Sequence, residues 1–277
     1  VAWITINRPR VMNAFREQSL DEMIEAVKST REDPSIACIV FQGAGNQAFS
    51  AGGDFYAMKR LTFTNAAMWN DRMLGLAMAI RGVPIPVIAK VNGWCMGGGH
   101  ELALWCDLVI ASEKSMLGQT GAKVGACPTV GATQYLPRII GERLAREMIF
   151  LARRFTAAEA EKIGLINKCV PEDKLDEETL AWCETIKGHS SQTIRMTKKS
   201  LNMESDQLYG SWQQGMELLA HVWGSEESLE GMNAFLEGRK PDFQKFRLRN
   251  KAALEEYLDG FHRHLNAPPD MRNFPED

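Results

Sequence analysis

Val91-Asn92-Gly93-Trp94-Cys95-Met96-Gly97-Gly98-Gly99-His100-Glu101-Leu102 is the stretch on which the reading of this chain turns. The apolar, strand-like run Val87–Val91 leads into it, three consecutive glycines interrupt it, and an apolar helical run over residues 102–106 follows. Glycines at a strand-to-helix junction let backbone N–H groups approach a ligand closely, and a helix N-terminus favours negative charge. Glu101 stands immediately behind them, in the first turn of that helix. There it either complements the helix dipole or exchanges protons with whatever the glycines hold.

Outward from this junction, strands alternate with helices. Residues 1–6 alternate like a strand and end at Asn7-Arg8-Pro9, after which Leu20, Met23, Ile24 and Val27 recur at helical spacing. Residues 36–42 read as a short apolar strand closed by Gly43-Ala44-Gly45-Asn46, and residues 108–111 as another. This alternation predicts an α/β fold with a parallel sheet and crossovers. From about Leu144 the pattern turns helical, over 144–152, 157–163, 175–187, 191–203, 209–223 and 225–237. The reading divides the chain into a core (1–190), a helical region (191–248) and a charged, Pro-rich tail (249–277) that wraps a neighbour or hangs free. Trp212, Met216, Leu219 and Trp223 share one helical face, turned to a subunit contact or to the core.

With 45% hydrophobic and 24% charged residues, 277 residues suffice for one large core with an appendage. A formal net charge of -3 gives no overall positive field for nucleic acid or anionic lipid, so any anion must be held locally. No apolar run reaches membrane-spanning length. The six cysteines stand singly without C-x-x-C spacing, which predicts reduced thiols and a cytoplasmic location rather than a disulfide framework. The chain opens inside a strand without an initiator methionine, so a further natural N-terminal segment is expected and targeting stays open.

A second glycine turn, Phe49-Ser50-Ala51-Gly52-Gly53-Asp54, follows the strand at 36–42. Parallel strands direct their C-terminal ends to one crevice, so two such turns can aim two N–H groups at one oxygen and stabilise charge developing there. Neither turn has the spacing of a nucleotide-phosphate loop. His100 beside Glu101 lacks the further ligands a metal would need, and Cys95 and Cys106 lack the partners of a nucleophile. Asp54 and Asp107 read as capping or turn carboxylates. Trp94, Met96 and Trp105 either border the pocket or belong to the core.

Several motifs occur in order: Asn7-Arg8-Pro9 with Asn13-Ala14, the turn at 49–54, Pro84-x-Pro86, Asn92-Gly93 through Glu101-Leu102, Cys106-Asp107, Gly118-Gln119 and Ala157-x-x-Ala160-x-x-x-Gly164-Leu165. Over residues 1 to about 246 the chain closely resembles the crotonase (enoyl-CoA hydratase/isomerase) superfamily. The resemblance implies a ββα superhelix with a C-terminal helical trimerisation region, assembled as homotrimers or dimers of trimers. It assigns Gly53 and Gly98 as oxyanion-hole donors and Glu101 as the catalytic glutamate, with Ala51, Trp94, Gly97, Gln119 and Gly121 around the substrate. It implies no metal and no cofactor beyond the coenzyme A of the acyl-CoA substrate, and neither nucleic acid nor membrane as partner.

One departure matters. The second glutamate of such hydratases falls on Gly121 within Gly118-Gln119-Thr120-Gly121. That pattern is similar to the branch of dihydroxynaphthoyl-CoA synthases and alicyclic ring-opening hydrolases. The synthase reading falls, because its Ser, Asp and C-terminal Tyr correspond to Ala126, Pro128 and Trp223. Resemblance to the oxocyclohexene-carbonyl-CoA hydrolases survives in Glu101 and in Gly131-Ala132-Thr133 before Leu136-Pro137, although their long insertion is missing. The expectation is an enzyme adding water to an unsaturated, alicyclic acyl-CoA, with hydrolytic ring cleavage and with space at Gly121 for a bulkier group. Alternatives are an ordinary enoyl-CoA hydratase or isomerase and a non-catalytic acyl-CoA-binding protein.

Overall fold

A computed structural model describes residues 1–265, with His264 and Leu265 described in backbone alone. The strands are β1 (Ala2–Ile6), β2 (Ile39–Gly43), β3 (Ala48–Ser50), β4 (Val87–Val91), β5 (Trp94–Met96), β6 (Leu108–Ser112), β7 (Met116–Gly118), β8 (Arg154–Thr156) and β9 (Lys168–Val170). The helices of the core are α1 (Glu17–Ser29), α2 (Phe55–Met58), α3 (Ala66–Gly82), α4 (Gly98–Trp105), α5 (Gly121–Val124), α6 (Ala132–Ile140), α7 (Glu142–Phe150), α8 (Ala157–Lys162) and α9 (Leu175–Lys187). Four more close the chain: α10 (Ser191–Asp206), α11 (Tyr209–Val222), α12 (Glu226–Leu236) and α13 (Gln244–Leu265).

The strands divide between two sheets. One is parallel throughout, in the order β1-β2-β4-β6-β9; the other runs β3-β5-β7-β8, with only β8 antiparallel. Each pair β2–β3, β4–β5 and β6–β7 gives its first strand to the large sheet and its second to the small one, then passes into helix. Repetition of this ββα unit produces the superhelix, and the turns after β3 and β5 come to one crevice. Strands of the large sheet read as continuous apolar runs because helices cover its faces: Ile39, Val40, Phe41, Val87, Ile88 and Ala89 are all fully buried.

The sequence pattern misses the three-residue strands of the small sheet and places the start of α4 too late. The helix begins at Gly98 rather than at Leu102. Its first turn packs so closely on β3 that a β-carbon on Gly99 would lie 2.2 Å from the Ser50 carbonyl oxygen. The expected tail also differs: from Lys251 to Leu265 it continues α13, while Pro268, Pro269 and Pro275 lie outside the described residues. All six cysteines are free, and no described helix is long and apolar enough to cross a membrane.

One buried cation ties the C-terminal helices to the core. Lys198 of α10 donates through Nζ to Asp107 Oδ2 (2.6 Å), Ile80 O (3.0 Å) and Ile85 O (2.9 Å). Asp107 also accepts from the Val87 N–H at 2.7 Å, at the entry to β4. The reading of Asp107 as a structural carboxylate thus has a location, and Asp54 likewise caps α2 and pairs with Arg8. Asp107 reaches solvent, so removing the buried cation mainly strands the carbonyls of Ile80 and Ile85. Lys198→Met should therefore lower the unfolding free energy by about 1–3 kcal/mol, read by urea denaturation. A loss below about 1 kcal/mol would show that the pair is dispensable.

Candidate active site

The two glycine turns meet. A β-carbon on Gly52 (φ 92°) would lie 2.7 Å from Gly98 N, and one on Gly98 would lie 3.5 Å from Gly52 Cα. Phe15 bridges the first turn: its N–H donates to Gly52 O at 2.8 Å, and its carbonyl accepts from Asp54 N at 2.9 Å. That parallel bridge turns the N–H of Gly53 away from Phe15. Gly98 opens α4, so its N–H has no acceptor within the helix. Gly97, with φ 52° and ψ −123°, makes the bend that only glycine adopts without strain, and its carbonyl accepts from the Glu101 N–H at 2.9 Å.

Glu101 is 5% exposed. Its Oε1 accepts from the Val130 N–H at 3.0 Å, with a second backbone hydrogen bond from Ala132. Burial pushes its pKa up to about 8, against the lowering effect of those two hydrogen bonds. One turn further along α4, Trp105 Nε1 donates to Val130 O at 2.9 Å, so Glu101 and Trp105 grip both ends of one residue. Gly131 (φ 100°) permits this, since a β-carbon there would lie 2.7 Å from Trp105 Nε1. Trp105 therefore belongs to the core and positions the donor to Glu101; it does not border the pocket.

Glu101, Ala51, Gly53, Gly97, Gly98, Gln119 and Gly121 line one inner chamber of about 80 Å³, walled by Met58, Trp69, Met73, Leu219 and Trp223. An outer channel of about 470 Å³ shares Ala51, Gly53, Phe55, Thr120 and Val124 with it and continues past Trp94, Met96, Lys123, Arg154 and Phe235. Trp94 thus stands in the channel, under the Arg154 guanidinium at 5.1 Å, and away from Glu101. The other residues expected at the site come together in the chamber.

Gly121 corrects the sequence reading. A β-carbon there would lie 2.4 Å from the Ala126 carbonyl oxygen, and the Ala126 N–H donates to Gly121 O at 3.0 Å. The space expected from the missing carboxylate is occupied by backbone. Sequence reasoning also missed the pairing of two buried side chains: Gln119 Nε2 lies 3.0 Å from His100 Nδ1 and 3.3 Å from Gly97 O. Desolvation lowers the His100 pKa to about 4, so the ring is neutral and its Nδ1 accepts from the amide. Neither this pair nor the Val130 N–H has a signature in sequence; only the unusual run His100-Glu101 hinted at buried polar groups.

Two outcomes follow from this geometry. Between pH 4.5 and about 8 the folded protein keeps a proton on Glu101 that the unfolded chain releases, so its stability falls as pH rises through that window. Urea unfolding at pH 5 and pH 9 should show the Glu101→Gln variant gaining a few kcal/mol relative to the parent at the higher pH. An unchanged gap would show that the carboxyl is not held protonated. Secondly, Gly121→Glu should not rebuild a paired-carboxylate site, and Gly121→Ala alone should cost about 1–3 kcal/mol by overpacking. A thermal melt equal to that of the parent would show that the loop yields.

Known proteins agree with this architecture. The family model described as enoyl-CoA hydratase/isomerase matches residues 1–247. Among solved structures, an enoyl-CoA hydratase from Mycobacterium avium subsp. paratuberculosis K-10 is 27% identical with a TM-score of 0.80, covering 87% of this chain and 94% of its own. An enoyl-CoA hydratase from Bacillus anthracis is 32% identical with a TM-score of 0.71 at the same coverage. An enoyl-CoA hydratase/isomerase from Xanthobacter autotrophicus Py2 is 30% identical with a TM-score of 0.78, covering 85% and 89%. With its ββα superhelix, its paired glycine turns and a match over nearly its whole length, the chain belongs to the enoyl-CoA hydratase/isomerase family.

Proposed function

We propose that the chain adds water across the double bond of a short unsaturated acyl-CoA, with Glu101 as the single acid–base group. The observation that carries this reading is a buried carboxyl of pKa about 8 in the same small chamber as Gly53 and Gly98. The thioester oxygen would accept from the N–H groups of those two glycines. Glu101, as carboxylate, takes a proton from water while the water oxygen bonds to the β-carbon and the double-bond electrons move onto the thioester oxygen. The enolate then collapses, and Glu101 returns the proton to the α-carbon. Every atom added comes from one water molecule, and Glu101 ends as it began. Two aligned donors and one tuned base are the kinds of contribution that lower such barriers most.

The outer channel supports a coenzyme A thioester: its walls are mostly apolar, as an extended pantetheine-like arm requires, and Lys123 and Arg154 supply cations for phosphates. A chamber of about 80 Å³ holds roughly three water-sized groups, which favours a short acyl portion. Ring-opening hydrolysis keeps its resemblance of motif but loses the space expected at Gly121, so the substrate is drawn as open-chain. The single carboxyl equally suits a second reading, in which Glu101 moves one proton between two carbons and isomerises the double bond. Assembly as homotrimers or dimers of trimers is part of the proposal, and sedimentation reads it directly.

But-2-enoyl-CoA in ¹⁸O-water should give a 3-hydroxyacyl-CoA carrying the label. Conversion of but-3-enoyl-CoA to but-2-enoyl-CoA with no label taken up would replace hydration by isomerisation. Glu101→Gln should retain binding and lose about 10²-fold or more in turnover. For the parent, kcat/KM should rise with pH, reach half its plateau near pH 8 and level off above that, as the carboxylate form accumulates. A flat profile would remove Glu101 as the base.

A further inference from the structure

The N–H of Gly98 is one end of a peptide unit whose other end is held. The peptide joining Gly97 to Gly98 is trans, so the Gly97 carbonyl and the Gly98 N–H share one plane and point in opposite directions. Whatever grips Gly97 O therefore sets the line of the Gly98 N–H, in a residue that lines the chamber. Two donors grip it: the Glu101 N–H at 2.9 Å, as a rung of α4, and Gln119 Nε2 at 3.3 Å, from the turn after β7. One donor leaves a peptide free to rock about that bond; two from different elements fix its plane.

The Gln119 amide can take only one orientation. Gly97 O accepts and cannot donate, so the atom beside it is the amide nitrogen. That nitrogen also lies 3.0 Å from His100 Nδ1, which is then the acceptor of the ring, with the ring proton on Nε2. Each of the two amide hydrogens thus has its own acceptor. Burial lowers the His100 pKa to about 4, so the ring stays an acceptor throughout the range in which Glu101 titrates. His100 is 1% exposed and lines neither the chamber nor the channel. It stands behind the site and reaches it only through Gln119.

We infer that His100 is a positioning residue, which through the Gln119 amide orients and polarises the Gly97–Gly98 peptide whose N–H donates to the thioester oxygen. The inference rests on the acyl-CoA reading above. A hydrogen bond accepted at an amide carbonyl makes the N–H of the same unit a stronger donor, and bonds in series reinforce one another. The gain is largest where negative charge develops on the thioester oxygen, so it belongs to the chemical step more than to binding of a neutral thioester.

A spectroscopic signature separates this role from simple support of the fold. Bound 3-oxobutanoyl-CoA cannot add water, and its enolate, which carries charge on the thioester oxygen, has its own near-ultraviolet absorption. His100→Leu removes the acceptor, and the apparent pKa of the bound ligand should rise by about 1, a 10-fold loss of enolate. Affinity for butanoyl-CoA, which stays neutral, should change by less than about 3-fold. Turnover of but-2-enoyl-CoA should fall about 10-fold in kcat at nearly constant KM, less than loss of a direct donor costs. His100→Asn, whose Oδ1 can stand in the place of Nδ1, should recover most of both. The pH midpoint near 8 should stay, because Glu101 takes its own hydrogen bonds from Val130 and Ala132.

Thermal melts report the folding of each variant, and ¹⁵N NMR of the parent reads the His100 ring without any variant: it should be neutral with its proton on Nε2. Enolate that survives in folded His100→Leu, or a ring proton on Nδ1 in the parent, overturns the inference and leaves the acyl-CoA reading intact. Enolate lost together with a displaced pH midpoint also overturns it, since the variant has then disturbed Glu101 itself. A parent that binds neither butanoyl-CoA nor 3-oxobutanoyl-CoA overturns the acyl-CoA reading, and the inference with it.

Discussion

The helix α4 lies on strand β3 with no room for a β-carbon between them, and the site exists because of that contact. Gly99 rests on the Ser50 carbonyl and Gly52 on the Gly98 amide, at separations only glycine allows. This approach brings two strand-to-helix turns from different ββα units into one crevice, with the N-terminus of α4 pointing into it. It also fixes the depth of Glu101, three residues along the same helix, so that desolvation dominates its two backbone hydrogen bonds. A looser helix would hold Glu101 nearer water, where a carboxylate stays ionised and is a weaker base.

Much of this was legible because glycine runs and buried apolar strands leave strong marks. The triple glycine, the second glycine turn and Glu101 could be found from residue type and spacing, and their order identified the family. What escaped did so for physical reasons. Strands of three residues, such as Trp94–Met96 and Met116–Gly118, are too short to show alternation. The glycines that open α4 are poor helix formers, and packing overrides that preference here. Helix α3 buries Trp69, Met73, Leu76, Ala77 and Ile80 along one face, but Met68, Leu74 and Met78 put apolar residues on its other sides too, so the sequence presents no clean stripe. The Val130 N–H that holds Glu101 is a backbone group, and backbone groups are invisible in sequence.

The C-terminal helices are part of the site rather than an appendix to it. Leu219 from α11 and Trp223 just after it close the chamber, and Phe235 and Leu236 from α12 line the channel. Lys198 fastens the preceding helix to the carbonyls of Ile80 and Ile85 and to Asp107, beside the strand that leads into the triple glycine. A division of the chain at residue 190 therefore describes the change in composition more than any division of labour. The core supplies the donors and the carboxyl; the helices exclude water from them.

The loop from Gly121 to Pro128 has a consequence for how such sites change over time. Its Ala126 carbonyl oxygen lies 2.4 Å from where the β-carbon of a second carboxylate would stand, and the Gly121 carbonyl holds the loop there through the Ala126 N–H. In this chain a side chain at position 121 therefore demands a new backbone path for the loop as well as a new residue. Loop and side chain must shift together, which makes single substitutions poor stepping stones toward a two-carboxylate chamber.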